Sequence, residues 1–547
     1  MSYTFLNRFF AKPAYLLIVV VIIGAGLRLW NLGNAEFFHD EGFYAFRSIG
    51  YLDYVQNDAQ TTPIQWFKDQ PLPFWTHLSF HDHPPLFFII QHIFFVLFGD
   101  SRLVARLPSA LAGLFAIVLV YFIGQRVFKN KSAALFAALL LSASQIHIWI
   151  SRSSLQESVL IFFVLLNLLA FFRFLENPKR WLTFGLTLGL CFLVKYTSFF
   201  LVPVYLGYLL FRNRALFLKK ELYLAMIVTV VLFSPVIVYN FYLLKTVYHF
   251  DLQFAYLFHQ ATPEWQVSVG KVQEPFSNLI PNLIVAYSWP FLVLAIVGAV
   301  YALFLVVKKQ NGAPLLWLLM LVATTLILIP VGSGFRFLAF YALPCVFLVT
   351  SLIVFLDGRF KKLQLVKIGA VIFVAFEVFS TLVRGIFLFP DFGITKLDQY
   401  LDQVFDGKAS LSTPNSKNPH LQKIMQEYAN LTTPGDKPVA IVYDENLSLP
   451  PRLWLFSRRT FYHGIPTFSV GQFKMIQKEN GPTAFHGYEL YFVKVAENGY
   501  LNPYFKTTDA ADFEHFLATE FHLQPIKVIS GYGNLPMFIV YKIDLAS

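Results

Sequence analysis

The chain predicts a polytopic, mostly α membrane protein with a smaller soluble α/β unit at its C-terminal end. Of its 547 residues 56% are hydrophobic and 14% are charged, more apolar surface than a soluble core of that size can hide. Apolar runs of near-membrane length recur up to residue 389, and turn signals with strand-like runs replace them afterwards. The formal charge of +11 is no nucleic-acid signature. Its lysines and arginines gather in short loops between apolar runs, at 212–220, 308–309 and 359–362, which is the positive-inside pattern. Cys191 and Cys345 both sit within apolar runs, so neither a disulfide framework nor a Cys-based metal site is supported.

In chain order, the apolar segments lie near 14–32, 84–98, 103–127, 132–149, 158–175, 181–194, 196–212, 221–243, 281–306, 314–331, 337–356 and 366–389. A full crossing takes about 20 residues, so several are tilted, broken or re-entrant, and 11–13 segments are expected. Arg8 and Lys12 precede the first run without a small-residue cleavage site, which predicts an uncleaved anchor and a cytoplasmic N-terminus. With the basic loops inside, the outer face receives a first loop over 33–83, Lys195-Tyr196-Thr197, a later loop over 244–280, and 332–336. Both flanks of 84–98 then fall outside, so either that segment is re-entrant or the division into segments is off there. The predicted organisation is a catalytic membrane domain over 1–390 and an extracytoplasmic α/β domain over 391–547. The second carries strand-like runs at 439–443, 488–493 and 537–541 and a helix over 511–523. It shows no Gly-rich phosphate loop and no Cys/His metal spacing.

The charges on the outer side point to chemistry. In Phe37-Phe38-His39-Asp40-Glu41-Gly42 two carboxylates follow the first apolar run. Charge at such a place is costly without a partner or a task, and Asp40 and Glu41 read as facing water at the membrane surface. His81-Asp82-His83-Pro84-Pro85-Leu86 closes the first loop, and its prolines end an extended chain and start a helix, which holds His83 near the helix start. Arg152 leads to Glu157 at the mouth of another helix. Lys195 interrupts two apolar halves, and Arg336 opens the helix that runs on through Pro344. His39, His81 and His83 share the first loop, so a divalent metal held with Asp40 or Glu41 stays open, without the i, i+4 spacing that would support it.

These motifs, in this order, resemble the polytopic GT-C glycosyltransferases. They are Asp-Glu after the first span, His-Pro-Pro-Leu, Phe98-Gly99-x-Ser101 followed by Arg106-Leu107-Pro108-Ser109-Ala110, and the Leu193-x-Lys195-Tyr196-Thr197 break. The closest resemblance, over roughly 14–360, is to glycosyltransferase family 39, the dolichyl-phosphate-mannose protein mannosyltransferase type, and to the bacterial aminoarabinose transferases. It implies a cell-membrane enzyme that moves a sugar from a polyprenyl-phosphate lipid to a protein, lipid or glycan acceptor, with inversion in a single displacement. Asp40 then takes the acceptor proton, with Glu41 as the alternative. Arg336 binds the donor phosphate, followed as candidates by Lys195 and Arg152. Glu157 falls near the second acidic position of relatives and, with His83, is expected on the acceptor side. Relatives differ on metals, so no cofactor is assigned. An oligosaccharyltransferase or ligase type of enzyme is the nearest rival. A transporter fits less well, because the sequence shows no internal repeat.

Overall fold

A computed structural model describes residues 13–37, 39–55, 62–260, 275–308, 312–360, 365–387, 391–405, 417–429, 438–485, 487–503, 505–520 and 522–544. Arg8, Lys12, Phe38, Lys309, Lys361, Lys362 and the stretch 261–274 of the later loop lie outside the described residues. The chain is mostly helical. Among the described residues eight helices are long and apolar enough to cross a bilayer, or nine if a pair bent by 58° forms one span.

The helices that position the site are α1 (Pro13–Leu29), α2 (Asp40–Ile49), α3 (Leu86–Phe98), α4 (Arg102–Phe128), α5 (Lys131–Ala143), α6 (Gln145–Arg152) and α7 (Gln156–Glu176). They are followed by α8 (Trp181–Val194), α9 (Leu201–Arg212), α10 (Lys220–Val247), α11 (Trp289–Val307), α12 (Ala313–Val331), α13 (Ala342–Arg359), α14 (Leu365–Thr381) and α15 (Ile394–Phe405). Local chemistry starts several of them. Ser101 caps α4 by accepting from Val104 N at 3.3 Å, and Asn130 caps α5 by accepting from Ser132 N at 2.9 Å; each satisfies donors that a helix start leaves open. Near their junction these two helices approach closely because Gly124 of α4 lacks a side chain. A Cβ there would stand 2.8 Å from Ala134 Cα.

Helix α3 has 13 residues, about 20 Å of rise, against a hydrocarbon core of about 30 Å. It is shorter than a straight crossing and packs on α2 and α4. Residues between apolar stretches gather at one end of the bundle: Asp40 opens α2, Glu157 lies in the first turn of α7, Lys195 follows α8, and Arg336 precedes α13. Helices α9 and α13 then run away from this end and carry Arg212 and Arg359 to the other.

Five strands form one sheet in the order β2-β1-β3-β5-β4: β1 (Val439–Tyr443), β2 (Thr467–Ser469), β3 (Glu489–Val495), β4 (Lys527–Ser530) and β5 (Pro536–Asp544). β1 runs parallel to β2 and β3, and β5 runs antiparallel to β3 and β4. Every residue of β1 is buried, because both faces are covered and its Val-Ala-Ile-Val-Tyr sequence therefore does not alternate. Val439, Ile441 and Tyr443 face Leu397 and Leu401 of α15, whereas Ala440 and Val442 pack in a core with Phe513 and Leu517.

The sheet region sits directly on α2. A Cβ on Gly42 would lie 2.2 Å from Pro450 O, and Tyr462 donates to Phe46 O at 3.0 Å. Beside this contact, Asp398 of α15 accepts from Arg102, from Arg458 at 3.1 Å, from Arg459 at 2.9 Å and from Trp454 Nε1 at 3.0 Å. Glu36 completes the seam by accepting from Thr395 N at 3.1 Å. Burial pushes its carboxyl up from about 4.5 to about 8, against that hydrogen bond and with nearby Asp391 adding to the rise. Between those values the folded protein holds a proton that the unfolded chain has released, so this group lowers stability as pH rises. Glu36→Gln is therefore expected to flatten part of the decline in melting temperature between about pH 5 and 8 in detergent. An unchanged slope would assign the titration to another group.

Candidate active site

His39 precedes α2 with φ 53° and ψ −147°, a conformation that costs a non-glycine residue on the order of 1–3 kcal/mol. It turns the chain abruptly into α2, so that Asp40 becomes the first helical residue. The Asp40 side chain is 38% exposed and forms an ion pair with Arg336. Burial raises the Asp40 carboxyl, but Arg336, His39 and His83 together hold it below the usual carboxylate value. The next residue, one helical step of about 100° further round, faces the opposite environment. Glu41 is buried and accepts from Arg106 Nε and Nη2, both at 2.8 Å, and from Ser154 N at 2.6 Å. The expectation that both carboxylates face water is thus corrected for Glu41. Its oxygens are committed to a buried fork, so it has no freedom to take up a substrate proton.

Arg336 bridges two acids, because its Nε also lies 3.5 Å from Glu157 Oε1. Glu157 receives Lys195 Nζ at 2.6 Å, and its second oxygen is buried without a hydrogen-bond partner among the described residues. Its partners are thus the two cations Lys195 and Arg336. Asp40, Arg336, Glu157 and Lys195, drawn from four separate parts of the chain, form one alternating cluster of charge. Phe337 covers both cations, 5.1 Å from Lys195 Nζ and 4.9 Å from the Arg336 guanidinium. Such stacking suits a cation held in a water-poor site.

Arg152 does not join them. Its Nη1 donates to the carbonyls of Leu27, Arg28 and Trp30 at 3.1, 3.3 and 2.8 Å, where it satisfies the end of α1 and complements the negative pole of that helix. The expectation that Arg152 holds a phosphate is corrected accordingly: the open carbonyls of a helix terminus claim it.

His83 does reach the cluster. Its Nε2 lies 3.2 Å from the Tyr44 hydroxyl, which is 3.5 Å from both Asp40 Oδ2 and Arg336 Nη1. Tyr44 is a contributor that the sequence analysis did not single out. Its signal is its place four residues after Asp40, which puts both on one face of α2. Behind His83, Arg47 donates to Asp82 at 2.8 and 3.1 Å and also to Asp53, and His81 Nδ1 lies 2.8 Å from Asp53 Oδ1.

Asp53, His81 and Asp82 bring potential ligand atoms within 4.8 Å of one another, the spacing of a cation site. They do not fit one. Arg47 already engages both carboxylates, and, although burial opposes it, Asp53 and Asp82 hold the His81 imidazole above its ordinary pKa. A divalent ion would have to displace the Arg47 guanidinium from both carboxylates. His39, which the sequence left open as a metal partner of His81 and His83, turns to the Tyr500 hydroxyl at 3.1 Å.

The fold is similar to those of solved structures of ArnT and of an archaeal oligosaccharyltransferase. It matches ArnT from Cupriavidus metallidurans, solved with undecaprenyl phosphate bound, at a TM-score of 0.56 and 14% identity over 99% of this chain and 98% of that one. The Archaeoglobus fulgidus oligosaccharyltransferase, in complex with Zn and sulfate, matches at a TM-score of 0.51 and 16% identity, over 88% of this chain and 68% of that one. Within this fold, residues 82–239 match the family model described as dolichyl-phosphate-mannose-protein mannosyltransferase. An uncharacterized protein of Aquifex aeolicus is 30% identical over 218 residues, 39% of this chain and 40% of that protein. The Bacillus subtilis protein named "Putative mannosyltransferase YycA" is 32% identical over 142 residues, 25% of this chain and 21% of that one. The chain thus aligns with two-fifths or less of the length of these relatives.

Proposed function

We propose that the protein transfers a single sugar from a polyprenyl-phosphate carrier to an acceptor hydroxyl or similar group at the outer membrane surface, by inverting displacement with Asp40 as base. The observation that carries this reading is the convergence of Asp40 and Glu157 on the same guanidinium, Arg336. An acceptor hydroxyl is a poor nucleophile. A carboxylate beside it takes its proton as the acceptor oxygen bonds to the anomeric carbon and the bond from that carbon to phosphate oxygen breaks. The departing electron pair ends on the phosphate, where preorganised cations stabilise it. Arg336 and Lys195 are the cations this reading assigns to that role.

The resting ion pair has a consequence for the order of events. While Arg336 holds Asp40, the carboxylate is a weak base. A donor phosphate that competes for the guanidinium frees Asp40 for the acceptor, which couples activation of the base to arrival of the donor. The lipid-carrier enzymes of similar fold, one solved with undecaprenyl phosphate and one with a dolichol phosphate, support a polyprenyl-phosphate donor here.

The test is transfer by the purified, reconstituted protein from a panel of radiolabelled polyprenyl-phosphate sugars and, in parallel, polyprenyl-pyrophosphate glycans. Transfer from the monophosphates alone supports the reading; transfer from the pyrophosphates alone would make the protein an oligosaccharyltransferase-like enzyme. Arg336→Gln is expected to lower kcat/KM for the donor by on the order of ten- to a hundredfold, the worth of one or two charge-assisted hydrogen bonds. Unaltered donor kinetics in that variant would remove Arg336 from the phosphate site.

A further inference from the structure

We propose that Tyr44 and His83 form a proton relay that clears the acceptor proton from Asp40 onto the His83 imidazole, held in place by the buried Asp82–Arg47 pair, with His83 as a positioning residue acting through Tyr44. This deepens the reading of Asp40 as base and rests on it.

The geometry supplies each link. The Tyr44 hydroxyl lies between Asp40 Oδ2 at 3.5 Å and His83 Nε2 at 3.2 Å. On the far side of the ring, His83 Nδ1 is 2.9 Å from Asp82 Oδ2, close enough to pair, though not aligned as an ideal hydrogen bond. Asp82 is fixed in turn by the two-pronged contact with Arg47, whose side chain is fully buried. Its guanidinium stacks on Phe43, Phe80 and Phe88 at 4.9, 4.7 and 5.1 Å.

That anchoring decides the tautomer. A carboxylate beside Nδ1 favours the proton on that nitrogen and leaves Nε2 bare, since the partner of one ring nitrogen sets the state of the other. A bare Nε2 draws the Tyr44 hydroxyl proton towards itself. The lone pairs of the Tyr44 oxygen then face Arg336 and Asp40, and Tyr44 does not weaken the base by donating to it. After transfer, the protonated Asp40 gives its proton to the Tyr44 oxygen as the Tyr44 proton moves to His83 Nε2. Asp40 is a carboxylate again, Tyr44 has the same composition as before, and the new imidazolium lies against Asp82. The imidazolium then releases its proton to water.

The groups facing His83 are Asp82 on its own loop, Asp40, Tyr44 and Arg47 on α2, and Lys195 after α8. Burial lowers the His83 pKa below the ordinary value, and Arg47 and Lys195 add to this against Asp82, so the ring is neutral and ready to accept at neutral pH. Acidification loads the relay in advance and is expected to slow turnover.

The experiment has two arms on the full-length protein in detergent. In the kinetic arm, Tyr44→Phe and His83→Gln are each expected to lower kcat by about ten- to a hundredfold, with the donor KM within about twofold of wild type. Both are also expected to lose the acid limb of the wild-type profile that belongs to His83. Imidazole added to His83→Gly should restore part of kcat, which a purely structural role for the ring does not predict. Wild-type kcat and an unshifted profile in Tyr44→Phe would overturn the relay while leaving Asp40 in place, provided Asp40→Asn is inactive in the same assay. Full activity of Asp40→Asn would remove the underlying reading as well. The second arm needs no activity. Imidazole ¹⁵N NMR, with the His83 signal assigned by its loss in His83→Gln, should show the Nδ1–H tautomer at neutral pH. The Nε2–H tautomer would overturn the relay whatever the kinetics show.

Discussion

Asp40→Asn is expected to lower sugar transfer by about 10²–10⁴-fold, the range removed when a positioned general base is lost, while the protein expresses and melts as wild type does. The two halves of this expectation come from different observations. Activity falls because the amide is nearly isosteric with the carboxylate and has no basicity at the acceptor oxygen. The fold survives because Asp40 is 38% exposed and its partner is not stranded: Arg336 keeps Glu157 within 3.5 Å and the Phe337 ring at 4.9 Å. Transfer of radiolabel in reconstituted vesicles, paired with a thermal melt followed by size-exclusion chromatography in detergent, measures both. Residual transfer within about tenfold of wild type would move the base elsewhere. Glu157, with its unpartnered oxygen, is the next carboxylate to test.

The main members of this cluster were legible in the sequence because lipid exposes the cost of charge. A lysine, an arginine or a glutamate at a break between apolar runs is conspicuous, and Asp40, Glu157, Lys195 and Arg336 were each found in that way. The same reasoning failed for Arg152. Hydropathy reports that a charge stands near the membrane edge, but the open carbonyls that claim it belong to α1, more than a hundred residues earlier. Membrane segments were recognised as apolar runs. The bend of 58° between α5 and α6 was not, since a helix break at Ser144 leaves hydrophobicity unchanged. In the sheet, the runs that became β1, β3 and β5 were readable. The three residues of β2 and four of β4 are too short for a pattern, and they are strands only because longer neighbours pair with them.

Glu41 shows what one residue of helical register decides. Adjacent carboxylates look equivalent in a sequence, but they point about 100° apart once α2 forms, and Glu41 turns into the protein. Arg106, almost wholly buried, meets Glu41 through two hydrogen bonds of 2.8 Å. It also donates to the carbonyls of Leu32, Ala35 and Glu36 at 2.8, 3.0 and 2.5 Å. One guanidinium thereby ties α4 to the end of α1 and to the turn that presents Asp40. Glu41→Ala leaves that guanidinium buried without its counter-charge, and removing one partner of such a pair costs about 3–5 kcal/mol. The variant is expected to melt well below wild type or to fail to accumulate, with transfer lost in proportion to folded protein. Glu41→Gln, which keeps the shape and one acceptor oxygen, should fall between the two. Adding Arg106→Met to Glu41→Ala should cost less than the sum of the single changes, because no unpaired charge remains. The measurement is the same melt used for Asp40→Asn, and the two neighbours are expected to separate cleanly, one losing transfer in a stable protein and the other losing the protein itself. A Glu41→Ala variant that melts with wild type but does not transfer sugar would reverse this assignment and place Glu41 in the chemistry.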